Sequence, residues 1–244
     1  MVPATALRVK LFADGADLAA IGALAADPRI SGFTTNPTLM RRAGVADYAA
    51  FARDALALVG TRPISFEVFA DEFDEMEAQA HEIAAWGANV VIKIPVTNTR
   101  GEFAGPLIRK LSSARIAVNV TALLTLDQVS RVAACLSPDV PACLSIFAGR
   151  IADTGRDPVP VVTEAVRMIA PLPSAEVIWA SPRELLNIFQ ADASGCHIIT
   201  ATPDLLAKLS LVGRDLDDYS LDTVKMFRRD AVAAGYTITA AAPE

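Results

Sequence analysis

A single lysine interrupts one of the most apolar stretches of this sequence, and its chemistry is the first feature to explain. Residues 90–97 read Val-Val-Ile-Lys-Ile-Pro-Val-Thr, with the lysine at position 93. A short apolar run of this kind is typical of a strand buried on both faces, as in a parallel sheet. Burying an ammonium group is costly unless its charge is paired or lost. Lys93 is therefore expected either to have a partner for its charge or to serve a function that requires a buried amine.

One purpose for a buried lysine is nucleophilic catalysis. Burial lowers the pKa of an amine, because the charged form loses more solvation than the neutral form. A neutral amine is a nucleophile and can form a Schiff base with a ketone. The structural alternative is that Lys93 lies at the end of its strand and extends its amine to water. The polar residues elsewhere in the chain favour catalysis.

The elements that must position Lys93 follow a regular alternation. Eight strand–helix units in about 210 residues predict an α/β protein, a single (β/α)8 TIM barrel that forms one domain over residues 1–244. An open doubly wound sheet is the alternative, but residues 14–17, Asp-Gly-Ala-Asp, do not form the glycine-rich phosphate loop that such a sheet usually carries. The apolar runs are 9–13, 32–35, 64–69, 90–96, 116–121, 142–148, 176–180 and 196–200, and the helical segments between them are 18–26, 48–59, 72–86, 103–112, 126–136, 159–169, 183–191 and 203–208.

A further helix is predicted after the eighth unit, at residues 219–235. Leu221, Val224, Phe227 and Ala231 give it an apolar stripe with helical spacing. No strand follows, so this helix is appended to the barrel and lies against it or against another subunit. The last residues, 239–244, are expected to fray.

Polar residues recur at the strand ends, where barrels of this type place their chemistry. A polar side chain in an apolar strand is costly without partners, so its recurrence in or after seven successive strands indicates a functional site. Glu67 lies between Phe66 and Val68, where an unpaired carboxylate would be especially costly. The candidates are Asp14, Thr34, Thr35, Asn36, Glu67, Lys93, Asn119, Thr121, Ser145, Arg150, Ser181 and Arg183, and the eighth strand offers only Thr200 and Thr202.

Each of these residue types also occurs for structural reasons. An aspartate caps helices, an Asn-Pro pair forms turns, and Thr or Ser fills space in a strand. Arginine usually lies at the surface. These explanations remain open for Asp14, Asn36, Thr121, Ser145, Arg150 and Arg183.

Taken together, the candidates are chemically coherent. An amine that condenses with a ketone yields an iminium, which draws electrons from the neighbouring carbon–carbon bond as that bond breaks. Carboxylates such as Asp14 and Glu67 can perform the proton transfers. Arg150 and Arg183 follow neighbouring strands and, with Ser181 next to the start of a helix, fit a clamp for the phosphate of a sugar.

Composition narrows the classes of function. The chain is 52% hydrophobic with a mean hydropathy of +0.37, which predicts a large core or self-association. A net charge of -6 argues against nucleic acid as the main partner. No run approaches the ~18 apolar residues of a membrane span, and residues 1–10 lack a signal-peptide core, so we expect a cytoplasmic protein without a membrane partner. Cys135, Cys143 and Cys196 lack metal-ligand spacing and are expected to be reduced.

The sequence resembles the transaldolase family of Schiff-base aldolases over residues 9–209. The resemblance rests on six segments. They are Gly-Phe-Thr-Thr-Asn-Pro-Thr at 32–38, Ser-Phe-Glu-Val at 65–68, Val-Ile-Lys-Ile-Pro-Val-Thr at 91–97, Asn-Val-Thr at 119–121, Gly-Arg-Ile at 149–151 and Ala-Ser-Pro-Arg at 180–183.

The resemblance implies a role for each matched residue. Lys93 would form the Schiff base, Asp14 would be the acid/base in carbon–carbon cleavage, and Glu67 with Thr121 would hold a catalytic water. The family transfers a three-carbon ketol unit from a ketose phosphate to an aldose, without metal or organic cofactor, and its members form homo-oligomers. The sugar would be contacted by Thr35, Asn36, Asn119, Ser145 and Phe147, and the phosphate by Arg150, Ser181 and Arg183.

Two branches of the family remain in competition. Aldolases that release free dihydroxyacetone carry glutamine and tyrosine where this chain has Glu67 and Phe147, so both positions resemble the transferase branch. Pro182 and residues 153–158 depart from the family pattern, which leaves a sulfonate or a differently placed phosphate open as the anionic group. A non-catalytic barrel that binds sugar phosphates is the alternative from another class.

Overall fold

The computed structural model describes residues 7–238, in which eight parallel strands close into a barrel. Each strand pairs with the next, and β1 pairs with β8 to complete the ring. The predicted (β/α)8 fold is therefore confirmed. The strands are β1 (Lys10–Asp14), β2 (Ile30–Thr34), β3 (Ile64–Glu67), β4 (Val90–Pro95), β5 (Val118–Leu123), β6 (Ala142–Ile146), β7 (Ala175–Trp179) and β8 (Ile198–Ala201).

Helices follow every strand and cover the outside of the barrel. The sequence pattern misses two short helices, α2 and α7, which follow β2 and β6 directly. The helices are α1 (Leu18–Ala25), α2 (Pro37–Arg42), α3 (Tyr48–Val59), α4 (Phe73–Ala84), α5 (Gly105–Ser113), α6 (Leu126–Ala133), α7 (Ala148–Ala152), α8 (Val159–Ile169), α9 (Leu186–Ala193), α10 (Pro203–Ala207), which continues as a 3-10 turn (Lys208–Leu211), and α11 (Leu216–Ala233).

Side chains at the helix starts set several of these boundaries. The carboxylates of Asp17 and Asp47 accept hydrogen bonds from the backbone amides of Ala20 and Ala50, three residues on. Thr125 forms a reciprocal capping box with Gln128 at the start of α6. Such caps satisfy amides that have no partner within the helix, and each stabilises it by about 1 kcal/mol.

The main core lies between the strands and the surrounding helices, and a smaller cluster fills the barrel interior. Phe12, Ile178, Ala180 and Ile198 form that inner cluster, and Cys143 and Phe147 pack against it. Gly32 makes room for Phe12, since a Cβ at position 32 would lie 2.4 Å from the Phe12 ring. The inner cluster fills the barrel below its polar, carboxyl-terminal end.

The predicted C-terminal helix is present as α11, which begins at Leu216 rather than at Tyr219. None of its residues is buried, and Leu221, Val224 and Phe227 are all more than half exposed. The expected fraying of residues 239–244 lies outside the described residues. Within the described part of the chain, no helix is both long and apolar enough to cross a membrane.

Candidate active site

Lys93 lies inside the barrel on β4 and is paired. The residue is 7% exposed, so the alternative in which its amine extends to water is wrong. The ammonium nitrogen Nζ donates a 2.6 Å hydrogen bond to the backbone oxygen of Thr35 and lies 3.1 Å from Oε2 of Glu67. The buried charge thus has a carboxylate and a carbonyl as partners.

Strand register brings Glu67 to Lys93. The two residues are paired across β3 and β4, so their side chains point to the same side of the sheet. Tyr48, on α3, fixes the backbone of Glu67. Its hydroxyl accepts a 2.8 Å hydrogen bond from the Glu67 amide and donates a 3.1 Å bond to the Glu67 carbonyl. Burial raises the pKa of Tyr48 above its ordinary value, which keeps the hydroxyl protonated as a donor.

Thr35 contributes its backbone rather than its side chain. Its hydroxyl donates a 3.0 Å hydrogen bond to the carbonyl of Ser65, and the residue is fully buried. This hydroxyl is already engaged within the sheet, and the expected contact between Thr35 and the sugar stays a prediction. Thr35 instead positions Lys93 through its carbonyl oxygen.

Asp14 lies at the end of β1, on the opposite side of the barrel mouth from β5. Its Oδ1 accepts a 2.7 Å hydrogen bond from the hydroxyl of Thr34, and its Oδ2 faces the amide of Asn36 at 3.4 Å. Burial raises the pKa of Asp14 above its ordinary value, and the positive charge of Lys93 opposes this shift. Asp14 does not cap α1, because Asp17 performs that role.

Asn36 serves two neighbours at once. Its carbonyl oxygen Oδ1 accepts a 3.0 Å hydrogen bond from the Leu39 amide and caps α2, while its amide nitrogen faces Asp14. Asn36 therefore both caps a helix, as the structural explanation holds, and lies beside the candidate acid/base Asp14, as the functional explanation holds.

A second group of polar side chains links β3, β5 and β6 on the side of the barrel that carries Lys93. The amide nitrogen of Asn119 donates to Oγ of Ser65 at 3.2 Å, and Oγ of Ser145 donates to Oδ1 of Asn119 at 2.7 Å. Thr121 lies two residues beyond Asn119 on β5 and is 2% exposed. The next residue, Ala122, has a φ of +62° where the β5–β6 register shifts. This local distortion interrupts the regular pairing of β5 with β6 between Val120 and Leu123, beside Thr121.

The two arginines do not form a free pair. Arg183 makes two hydrogen bonds to the carboxylate of Asp153, at 2.9 and 2.5 Å, while Arg150 is exposed on α7. The hydrogen bond from Arg183 and the charges of Arg183 and Arg150 lower the pKa of Asp153. Arg183 thus pairs with an acid, Asp153, whose role the sequence did not indicate, and the charge of Arg150 acts on the same acid.

The expected place of Ser181 at a helix start is wrong. Helix α9 begins at Leu186, and Ser181 instead has a left-handed φ of +56°. Its carbonyl approaches Gly149 so closely that a Cβ at position 149 would lie 1.6 Å from this oxygen. The glycine lets the loop after β7 reach the start of α7, which brings Arg183 to Asp153.

Two cavities lie beside the polar residues around Lys93, one bordered by Glu67 and the other by Asp14. One of about 510 Å³ is lined by Glu67, Phe69, Pro95 and Asn98. The other, of about 480 Å³, is lined by Asp14, Leu39, Arg42 and Thr202. Both carboxylates near Lys93 thus border space that a small polar molecule can enter.

The sequence of this chain is similar to those of known proteins. Residues 11–240 match the model of the transaldolase/fructose-6-phosphate aldolase family, and the chain belongs to this family. Proteins named "probable transaldolase" are similar to it. The one from Dehalococcoides mccartyi is 34% identical, over 74% of this chain and 80% of that protein. The one from Desulforudis audaxviator is 35% identical, over 87% and 94%. The chain is thus a transaldolase-like enzyme.

Solved structures of low identity share only the fold. Dihydrodipicolinate synthase from Bacillus clausii superposes with a TM-score of 0.57 at 14% identity, covering 93% of this chain and 80% of that one. KGPDC from Streptococcus mutans superposes with a TM-score of 0.54 at 13% identity, covering 80% and 87%. Both likenesses concern the barrel and say nothing of the reaction.

Gly149→Ala tests the close approach of the loop after β7. The added Cβ must displace the Ser181 carbonyl, so we expect a loss of roughly 1–3 kcal/mol in the free energy of unfolding. The matched control is Gly22→Ala on α1, where a Cβ meets only Leu58 at an ordinary 3.5 Å. That variant should be as stable as the wild type or up to ~1 kcal/mol more stable. Equal stability of the two variants in urea unfolding would contradict the crowding.

Asp14→Asn tests the burial of the Asp14 carboxylate. Because the folded state raises the pKa of Asp14, ionising this group lowers the stability of the folded protein. The penalty is complete above the folded pKa and disappears below the unfolded value of 3.8. Asp14→Asn should therefore be more stable than the wild type at pH 7, and the difference should shrink as the pH falls towards 4. Urea unfolding across this range measures it, and a difference independent of pH would refute the prediction.

Proposed function

We propose that this protein is a transaldolase-type transferase. It moves a dihydroxyacetone unit from a ketose phosphate to an aldose acceptor through a Schiff base on Lys93. The observation that carries this proposal is the burial of Lys93 with Glu67 at 3.1 Å. Membership of the family and the names of its relatives support the same reaction.

The first step is condensation of Lys93 with the ketone. Glu67 takes a proton from the ammonium group, and the neutral amine attacks C2 of the sugar to give a carbinolamine. Glu67 then returns a proton to the departing hydroxyl, which leaves as water, and the nitrogen becomes an iminium. Thr121 lies on the neighbouring part of β5 and would hold the water that carries protons between these groups.

The second step is cleavage of the bond between C3 and C4. Asp14 takes the proton of the C4 hydroxyl, the bond's electron pair moves into the iminium, and an aldehyde leaves while an enamine remains on Lys93. Burial raises the pKa of Asp14 towards the range in which a carboxylate exchanges protons effectively. The enamine then attacks the acceptor aldehyde, Asp14 returns the proton, and water releases the new ketose.

The remaining polar residues would hold the donor. Asn36 faces Asp14, and Asn119 with Ser145 lies across the barrel from it, so these groups can bind hydroxyls at both ends of the three-carbon unit. Phe147 packs against the inner apolar cluster and would form an apolar wall of the site.

The anionic end of the sugar would bind beside α7. Arg150, Ser181 and Arg183 remain the proposed contacts, and Arg183 keeps the donors of its Nη1 nitrogen beside the pair that it makes with Asp153. The two arginines and one aspartate give this corner a net charge of about +1. That sum suits a group which carries one or two negative charges, such as a phosphate monoester.

Borohydride trapping tests the proposed function directly. Reduction in the presence of fructose 6-phosphate should add a three-carbon or six-carbon mass to the peptide that contains Lys93. Lys93→Met should be folded, unlabelled and inactive, whereas Lys10→Ala, which removes an exposed lysine on β1, should be labelled like the wild type. Fructose, which lacks the phosphate, should label more slowly. Label on another lysine, or none, would contradict the proposal.

An aldolase that releases dihydroxyacetone uses the same intermediate and is the second candidate. The family's own description includes this activity. The same reaction mixture separates the two, with an aldose acceptor present or omitted. Release of free dihydroxyacetone at the same rate without acceptor would identify the lyase, and absence of any adduct would favour a binding protein.

We also propose that copies of the chain associate through α11, and that the enzyme is cytoplasmic. The second proposal is supported by three free cysteines, Cys135, Cys143 and Cys196, because disulfides are rare in the cytoplasm. Association is supported by the exposed stripe of Leu221, Val224 and Phe227. Apolar stripes of this kind usually mark an interface.

Phe227→Glu tests the association, because it places a charge in the stripe. We expect light scattering to show a mass for this variant that is close to one chain, while the wild type has a multiple of it. Met226→Glu makes the same change one position earlier, ~100° away around the helix, and should keep the wild-type mass. A wild-type protein with the mass of one chain would refute the proposal.

A further inference from the structure

A pair of buried threonine hydroxyls stands behind Asp14. Oγ1 of Thr34 donates to Oδ1 of Asp14 at 2.7 Å, and Oγ1 of Thr200 lies 2.5 Å from Oγ1 of Thr34. Thr34 and Thr200 are 4% and 6% exposed. Thr200 is the polar side chain that β8 contributes to the barrel interior, and the proposed reaction gives it no role.

The number of hydroxyl hydrogens determines which residue donates each of these two hydrogen bonds. Each hydroxyl carries one hydrogen, and an ionised carboxylate can only accept. While Asp14 is ionised, Thr34 uses its hydrogen for Asp14, so Thr200 must donate to Thr34. Thr200 therefore donates to Thr34, and Thr34 donates to Asp14; these two bonds are called the threonine chain below. Oδ1 accepts the hydrogen bond from Thr34, whereas among the described residues Oδ2 has only the long 3.4 Å contact from Asn36 and is the oxygen free to take a proton.

We propose that Thr200 is a positioning residue, which acts through Thr34 to hold the Asp14 carboxylate in one orientation with Oδ2 turned to the substrate. This inference rests on the proposed function, because it assigns a purpose to the acid/base group of that reaction. Donated hydrogen bonds in series strengthen one another in a buried site, so loss of the outer hydroxyl weakens the inner bond as well.

The charges around Asp14 come from several elements. Lys93 on β4 favours its ionised form, and Glu67 on β3 opposes it. Asp17, Arg42 and Asp204 line the outer cavity that Asp14 borders. The threonine chain is the only neutral support that reaches Asp14 from β8 among the described residues, so its removal leaves these charges unchanged.

Thr200→Val is the decisive variant, because it keeps the shape of the side chain and removes the hydroxyl. We expect kcat to fall about tenfold, a fraction of the roughly 10²–10⁴-fold that acid–base catalysis contributes, with KM changed by less than about twofold. Weaker support of the carboxylate raises the pKa of Asp14, so the acidic limb of the kcat–pH profile should move to higher pH. Thr200→Ser, which keeps a hydroxyl, should have the wild-type kcat and the wild-type acidic limb. Thr163→Val, on the exposed face of α8, should leave kcat and the acidic limb unchanged.

Trapping separates this inference from the proposed function. Condensation with Lys93 precedes the step at Asp14, so Thr200→Val should still give the borohydride adduct at the wild-type rate. An unchanged kcat and pH profile in Thr200→Val would overturn the inference. An equal fall of kcat in Thr200→Val and Thr200→Ser would also overturn it. If Thr200→Val does not fold, Thr200→Ala compared with Thr200→Ser decides by the same measures. A wild type without an adduct on Lys93 would instead overturn the proposed function itself.

Discussion

The buried contact between Lys93 and Glu67 is the constraint on which the rest of the site depends. A lone ammonium group inside a barrel loses several kcal/mol of hydration, and only partners held at hydrogen-bond distance offset that loss. The carbonyl of Thr35, directly after β2, and the carboxylate of Glu67, at the end of β3, supply those partners. Tyr48 then fixes the Glu67 backbone from α3, so the position of the ion pair is set by packed elements rather than by a mobile loop.

The barrel interior is divided along its axis into two regions. The inner cluster around Phe12, Ile178 and Ile198 excludes water from one region, and hydrogen-bonded side chains fill the other. The Ser65–Asn119–Ser145 group and the Thr200–Thr34–Asp14 chain satisfy their members with one another. Polar side chains held in this way need little rearrangement when a substrate arrives, which is the preorganisation that enzymes use to stabilise charge during reaction.

The strand-end residues were predictable because a parallel barrel leaves few options for its interior. Eight short apolar runs predicted the eight strands, and the polar residues in or just after these runs indicated that Asp14, Glu67, Lys93 and Asn119 are neighbours. The observed strand boundaries differ from the predicted ones by at most two residues, as at β5, which begins at Val118 rather than at Ile116. The roles of these residues stay predictions, because geometry alone does not report a reaction.

Other features could not be read from local patterns. Tyr48 lies on a helix, and nothing in its spacing indicates that it faces the Glu67 backbone. Asp153 reaches Arg183 across 30 positions of sequence, through a loop whose path depends on Gly149 and on the left-handed Ser181. Thr200 offered no more than a polar residue in a buried strand. Its link to Asp14 appears only when the closure of the barrel brings β8 beside β1.

The most direct measurement of the central claim is a crystal structure of the wild-type protein after borohydride reduction with a ketose phosphate. We predict continuous electron density from Nζ of Lys93 to C2 of the trapped sugar, with Glu67 and Asp14 on either side of it. Density on one of the other four lysines, all of them exposed, or an unmodified Lys93 still bound to Glu67, would contradict it.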